Sequence, residues 1–129
     1  MDTEERPRPE DFDHITWEII GCAKKVARTL GPGFLEKVYE NSLVIELRKR
    51  GLDVEQQVPL DVHYEDVVVG QFIVDVMVAG VVIIELKAVR AIEDGHKAQL
   101  INYLKATQTR VGLLLNFGSA PIGIKRLVF

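Results

Sequence analysis

Among its 129 residues the chain has one cysteine, Cys22, which excludes an intrachain disulfide and a zinc cluster of thiolates. Aromatic residues make up only 7%, giving no sign of a surface built on stacked rings for single-stranded nucleic acid. No apolar run approaches the length needed to span a bilayer. The stretch MDTEERPRPEDFD has neither a basic head nor an apolar core, so no secretory signal is expected and a cytoplasmic protein is. A strongly basic balance is also missing. The net charge of −3 argues against a protein that binds nucleic acid by bulk electrostatics alone.

What is present describes one ordinary globular domain, with 47% apolar and 27% charged residues. Residues 1–12, with two prolines and seven charges, are expected to be a mobile acidic tail, and residues 13–129 a single domain. Charge is unevenly distributed. Residues 86–129 carry seven basic side chains against Glu93 and Asp94, a balance of +5 that leaves −8 for the first 85 residues. Such a bias permits a local phosphate-facing surface, although solvated charges on unrelated faces give the same total.

Periodicity predicts a helix capped by Asp13 and running to about Leu30, with Ile15, Ile19, Cys22 and Val26 on one stripe. Gly31-Pro32-Gly33 stops it. A second helix is expected from about Phe34 to Arg50, closed by Gly51. The period then changes to two. Residues 53–64 read as a strand in which Pro59 marks an edge or a bulge, and Glu65-Asp66 as a turn. Residues 67–78 and 81–89 read as two long strands. Asp94 should cap a third helix over 95–107, followed by a short buried strand at 111–116, parallel to a neighbour, and a final edge strand at 123–129. The order ααβββαβ(β) predicts an α/β fold, a mixed sheet with helices against it.

The run GVVIIELKAV, residues 80–89, contains the chemistry. Alternation puts Val81, Ile83, Glu85 and Lys87 on one face and Val82, Ile84, Leu86 and Ala88 on the other. A charge in an apolar layer costs several kcal/mol unless it is paired, hydrogen-bonded or bound to a metal. Asp75 is the sole charge in the middle of the preceding strand. A three-residue connection at Ala79–Val81 would put Asp75 opposite Glu85, whereas a two-residue connection would send Glu85 to the far face. Two readings stand open at this point. The carboxylates are hard oxygen ligands suited to Mg²⁺ or Mn²⁺, with the lysine facing a phosphate. Equally, Asp75, Glu85 and Lys87 make a buried salt-bridge cluster.

With Asp75 followed ten residues later by Glu85-Leu86-Lys87, the sequence resembles the PD-(D/E)XK nuclease superfamily, which has a restriction-endonuclease-like core. Gly33, Glu36 and Tyr39 in GFLEKVY reproduce the Gly-x-x-Glu-x-x-Tyr signature (GxxExxY) of a family of small bacterial and archaeal proteins within it. The resemblance spans about Ile15 to Phe129. The superfamily's proline before the aspartate is Val74 here, a position that does no chemistry. The resemblance implies Asp75, Glu85 and the Leu86 backbone carbonyl as ligands of Mg²⁺ or Mn²⁺, and Lys87 as the catalytic lysine. It implies Glu36 as an additional ligand or water-holding group. Gln99 and Tyr103 match a Gln-x-x-x-Tyr element and, four residues apart on one helix face, would contact substrate.

The activity this implies is metal-dependent hydrolysis of phosphodiester bonds in nucleic acid, with DNA as the expected partner and substrate. The alternative is a catalytically inactive nuclease-fold interaction or nucleic-acid-binding module. A core this small covers little nucleic acid, so a homodimer is expected, through the first helix or the terminal edge strand. Tyr39 is expected to pack with its hydroxyl bonded, Gly33 to permit the turn, Glu40 to be solvated, and His96 to lie on the surface or cap the third helix. Trp17 is expected in the core or an interface, and Cys22 to be inert.

Overall fold

The two most apolar runs take the middle of the sheet. β3 (Val82–Lys87) and β4 (Val111–Asn116) lie parallel, and every residue in them except Lys87 is buried. A strand covered on both faces needs no polar side, which is why these runs do not alternate. The structure, a computed structural model, describes residues 6–129. β1 (Val54–Tyr64) and β2 (Val67–Val78) form a long hairpin on one side of β3, and β5 (Gly123–Val128) borders β4 on the other. The sheet order is β1-β2-β3-β4-β5, antiparallel except at β3–β4. Helices α1 (Asp13–Leu30) and α2 (Glu36–Lys49) cover one face. Helix α3 (Asp94–Thr107), the crossover between the parallel strands, covers the other. This is the expected mixed α/β architecture in the expected order.

Each face has its own core. Ile19, Cys22 and Val26 of α1 and Tyr39, Leu43, Val44 and Leu47 of α2 pack on Val76, Val78, Val82, Ile84 and Leu86. On the other side, Leu100, Tyr103 and Leu104 of α3 pack on Val74, Ile83 and Leu114. Pro59 lies in edge strand β1, paired with Ile73 of β2 and with its other side unpaired, the kind of strand in which sheets tolerate proline.

Several local expectations shift by a residue. Asp13 and Asp94 are the first residues of their helices, and Phe12 and Glu93 hold the cap positions. His96 does serve the cap: its Nδ1 accepts the N–H of Glu93 at 3.0 Å. Trp17 is not in the core; it is 69% exposed. Cys22 is fully buried, and burial raises its thiol pKa, keeping it protonated and unreactive. Of the expected tail, residues 1–5 lie outside the described residues. The stretch after them contains a 3-10 turn (Pro9–Phe12), and the carbonyls of Pro7 and Pro9 accept hydrogen bonds from Arg110 and Arg126.

Candidate active site

The site forms where the β2–β3 ladder ends. The connection is the three-residue one, Ala79–Val81, with left-handed backbone at Ala79 (φ 53°) and Gly80 (φ 67°). It sets the pairs Val78↔Val82, Met77↔Ile83 and Val76↔Ile84, a register that brings Asp75 opposite Glu85. Beyond Val76 the two strands are bridged by side chains instead of main chain. Glu85 Oε1 accepts the N–H of Asp75 at 3.1 Å, and Asp75 Oδ2 accepts the N–H of Leu86 at 2.9 Å.

Strand alternation breaks at the same level. Val76 and Val78 face α1 and α2, yet Val74 packs with the α3-side core. In β1, Val54 faces the helical pair while Val58 and Leu60 face α3. The hairpin therefore turns over between these positions. The register puts Gln57 across from Asp75, and Gln57 has a positive φ of 52°. That left-handed backbone lets the consecutive side chains of Gln56 and Gln57 reach the same side, where simple alternation would separate them. It also turns Asp75 into a cavity of about 540 Å³ beside α2, lined by Phe34, Leu35, Glu36, Lys37, Glu40, Gln57, Asp75 and Ala88.

Glu40 is the residue that sequence reasoning misplaced. It is not solvated but 4% exposed, and its carboxylate accepts from Gln56 (2.7 Å), Gln57 (3.0 and 3.2 Å) and Lys37 (3.2 Å). Its spacing to Leu43, Val44 and Leu47 places it within the buried stripe of α2. A charge inside an apolar helix stripe is the same signal that marked Glu85 in its strand. Glu36, one turn earlier, is exposed at the cavity mouth.

Electrostatics follow from this crowding. Burial, and then the charge of Asp75, push the Glu85 carboxyl up to about 8. Burial also raises Asp75, opposed by the Leu86 N–H and with Glu40 adding repulsion. The two carboxyls are held side by side through the main-chain N–H groups of Asp75 and Leu86. In low dielectric this crowding disfavours ionising both at once. Lys87 lies within electrostatic reach of both and favours their charged forms. Its ammonium makes no ion pair within 4 Å among the described residues. The simple salt-bridge cluster is therefore not what the fold builds, because main-chain N–H groups take the place of Lys87.

The end of β3 is clamped from β4. Asn116, paired with Lys87 in register, is 1% exposed. Its Oδ1 accepts from Val89 and Gly118, both at 3.0 Å, and its Nδ2 donates to the Val89 carbonyl at 2.9 Å. Phe117 N–H donates to the Lys87 carbonyl at 2.8 Å. A Cβ on Gly118 would come within 2.3 Å of the Val89 carbonyl oxygen, so only glycine fits there. Nothing in the spacing of the sequence marked Asn116 or Gly118.

Tyr39 packs as expected. Its hydroxyl donates to the Gly31 carbonyl (2.6 Å) and accepts from Phe34 N–H (3.1 Å), and its ring stacks on Phe117 at 4.7 Å. Gly33, with φ 118°, forms the turn. Across the sheet, Gln99 and Tyr103 line a second cavity of about 660 Å³ with Phe72 and Asn102. Burial raises the Tyr103 hydroxyl pKa, and the charges of Glu85 and Asp75 raise it further. Tyr103 thus lies within electrostatic reach of the carboxyl pair from the α3 side.

Two apposed carboxyls on adjacent strand ends, a lysine two residues on and a helix carboxylate nearby form an acidic centre on an α/β scaffold. The model of the PD-(D/E)XK nuclease superfamily matches residues 13–127, and the chain belongs to that superfamily. No curated protein and no solved structure gave a significant match. The superfamily implies a divalent cation, and the donor chemistry fits one. Burial raises both carboxyls, with repulsion from Asp75 added at Glu85 and from Glu40 at Asp75, and each spends one oxygen on a main-chain N–H, leaving the other available. Among the described residues, no group of three or more His, Cys, Asp or Glu side chains is arranged to hold an ion. Mg²⁺ is commonly held by one or two carboxylates with water and phosphate oxygens completing its shell.

Proposed function

We propose that the protein is a nuclease that hydrolyses phosphodiester bonds in DNA and depends on Mg²⁺ or Mn²⁺ held by Asp75 and Glu85. The observation that supports this reading most is the Asp75–Glu85 pair, two partly buried carboxyls fixed side by side by main-chain N–H groups, each with one oxygen free for a divalent cation. When bound, the cation would supply Lewis-acid polarisation of the scissile phosphate. The Leu86 carbonyl would complete the protein's ligands. Lys87, free of ion pairs among the described residues, stabilises negative charge on the phosphate. Glu36 at the cavity mouth holds water for attack, and Gln99 and Tyr103 contact substrate from α3. Glu40 is occupied by three donor side chains and acts as a positioning residue that fixes Gln57 opposite Asp75.

On this reading the chain is a cytoplasmic member of the GxxExxY group, through Gly33, Glu36 and Tyr39. No helix is long and apolar enough to cross a membrane. A homodimer would use α1, where Trp17 is 69% exposed, or the edge of β5. A monomeric mass in light scattering at micromolar concentration would remove that part.

The decisive experiment pairs Mn²⁺ titration by calorimetry with a cleavage assay on single- and double-stranded DNA, using wild type and Glu85→Ala. Saturable binding and cleavage, both lost in the variant, are expected. DNA binding without cleavage in the presence of bound Mn²⁺ would identify the inactive, binding-only alternative instead.

A further inference from the structure

A third cavity, of about 700 Å³, lies on the other side of the α1–α2 turn and belongs to none of the machinery above. Its floor is apolar, formed by Ala27, Phe117, Pro121 and Ile122, and its cationic residues are Lys24 and Arg28. No acidic side chain lines it, although the chain as a whole has a net charge of −3. Lys24 and Arg28 are four residues apart, so they share one face of α1, and both are exposed. Neither forms an ion pair among the described residues, whereas the neighbouring Lys25 is held by Glu46 at 3.0 Å. An unpaired pair of cations over an apolar floor matches a phosphate attached to a flat, weakly polar ring.

The position of this groove relative to the acidic centre makes the match useful. Gly31 and Pro32 line the groove, while Phe34, Leu35 and Glu36 line the Asp75 cavity. One short turn is the wall between them. Tyr39 makes that wall rigid, bonding to Gly31 and Phe34 and stacking on Phe117 in the groove floor. The crest is apolar and solvent-facing, with Leu35 82% and Phe34 48% exposed. A packing role would bury such residues. A polymer crossing the crest would meet both cavities.

We propose that the Lys24–Arg28 groove is a subsite for a single strand of nucleic acid, binding nucleotides that flank the bond presented to the Asp75–Glu85 centre across the Phe34–Leu35 crest. This rests on the nuclease reading for the identity of the polymer, but the groove is tested separately from hydrolysis. Lys24 and Arg28 take backbone phosphates, and the apolar floor takes an unstacked base. In an intact duplex the bases are stacked inward and offer nothing to that floor, so the occupant is a single strand or a frayed end.

The test is fluorescence anisotropy of a fluorescein-labelled single-stranded oligodeoxynucleotide with the full chain in EDTA, which stops metal-dependent hydrolysis. Lys24→Glu with Arg28→Glu should weaken binding at least about tenfold. The neutral pair Lys24→Gln with Arg28→Gln should lower the slope of log affinity against log salt by about 1.4, as expected for two lost single-strand phosphate contacts. Melting temperature and the Mn²⁺ isotherm should stay at wild-type values in the Gln pair, which also carries the test if charge reversal impairs folding. Wild-type affinity and salt slope in the Gln pair would overturn the groove while leaving the nuclease reading intact. No binding of the oligonucleotide to wild type, or a preference for blunt duplex over single strand, would overturn it too. Wild type that binds Mn²⁺ and the strand but never cleaves, with strand binding lost in the variants, would refute the nuclease and uphold the groove.

Discussion

Asp75 and Glu85 stand across from each other, and each carboxyl accepts a main-chain N–H from the other's strand, at 2.9 and 3.1 Å. The exchange stands in for the β2–β3 ladder, which ends one residue earlier at Val76↔Ile84. It holds two acids together in a place where only one can comfortably ionise.

The first prediction is a pH dependence of stability without metal. Both carboxyls are raised above their ordinary values, Glu85 from 4.5 to about 8. The folded state therefore binds the proton more tightly than the unfolded chain. The resulting stabilisation is fully present below pH 4.5 and is lost as pH rises through about 8. In EDTA, the melting temperature of wild type should fall relative to that of Glu85→Gln across this window, and Mn²⁺ should reverse the fall. Parallel curves for the two proteins, measured by thermal denaturation, would show that the pair is ionised in the apo state.

Lys87→Ala should separate binding from chemistry. Mn²⁺ affinity should persist, while cleavage falls by about 10²–10³, the range for losing one group that stabilises transition-state charge. Asp75→Ala should lose both. Full cleavage in either variant, with circular dichroism confirming the fold, is incompatible with the proposed roles.

Glu40→Ala would leave two glutamine amides and Lys37 without their shared acceptor. Hydrogen bonds to a buried charged group contribute about 1.5–3 kcal/mol, so denaturant unfolding should show a loss of about that size. Cleavage should fall as well, because Gln57 no longer holds the turnover opposite Asp75. A neutral effect on stability would mean that water replaces the carboxylate.

Gly118→Ala should destabilise by about 1–3 kcal/mol, the usual cost of forcing an extra methyl into a filled space. The contact is with the backbone of Ala88 and Val89, which cannot swing aside as a side chain would. Because that backbone follows Lys87 directly, cleavage should drop more than Mn²⁺ affinity. Calorimetry and kinetics on one preparation would show the split.

The strands, the helices and much of the acidic centre were legible in the order of residues alone. Charges at Glu85 and Lys87 stand out because a period of two leaves no reason for them in an apolar strand, but whether Asp75 faces Glu85 turned on a connection length that only the fold fixed, at three residues. The fold class followed from the switch between helical and strand-like periods. What the sequence could not show depends on distant segments meeting. Glu40 looks like any helical glutamate until Gln56 and Gln57 approach it, and they do so together only because Gln57 adopts a left-handed conformation. Asn116 and Gly118 matter only because β4 ends beside β3, about thirty residues earlier in the chain. Local periodicity encodes which face a residue prefers, but a buried polar group's partners are chosen by packing, and that choice exists only once the sheet has closed against its helices.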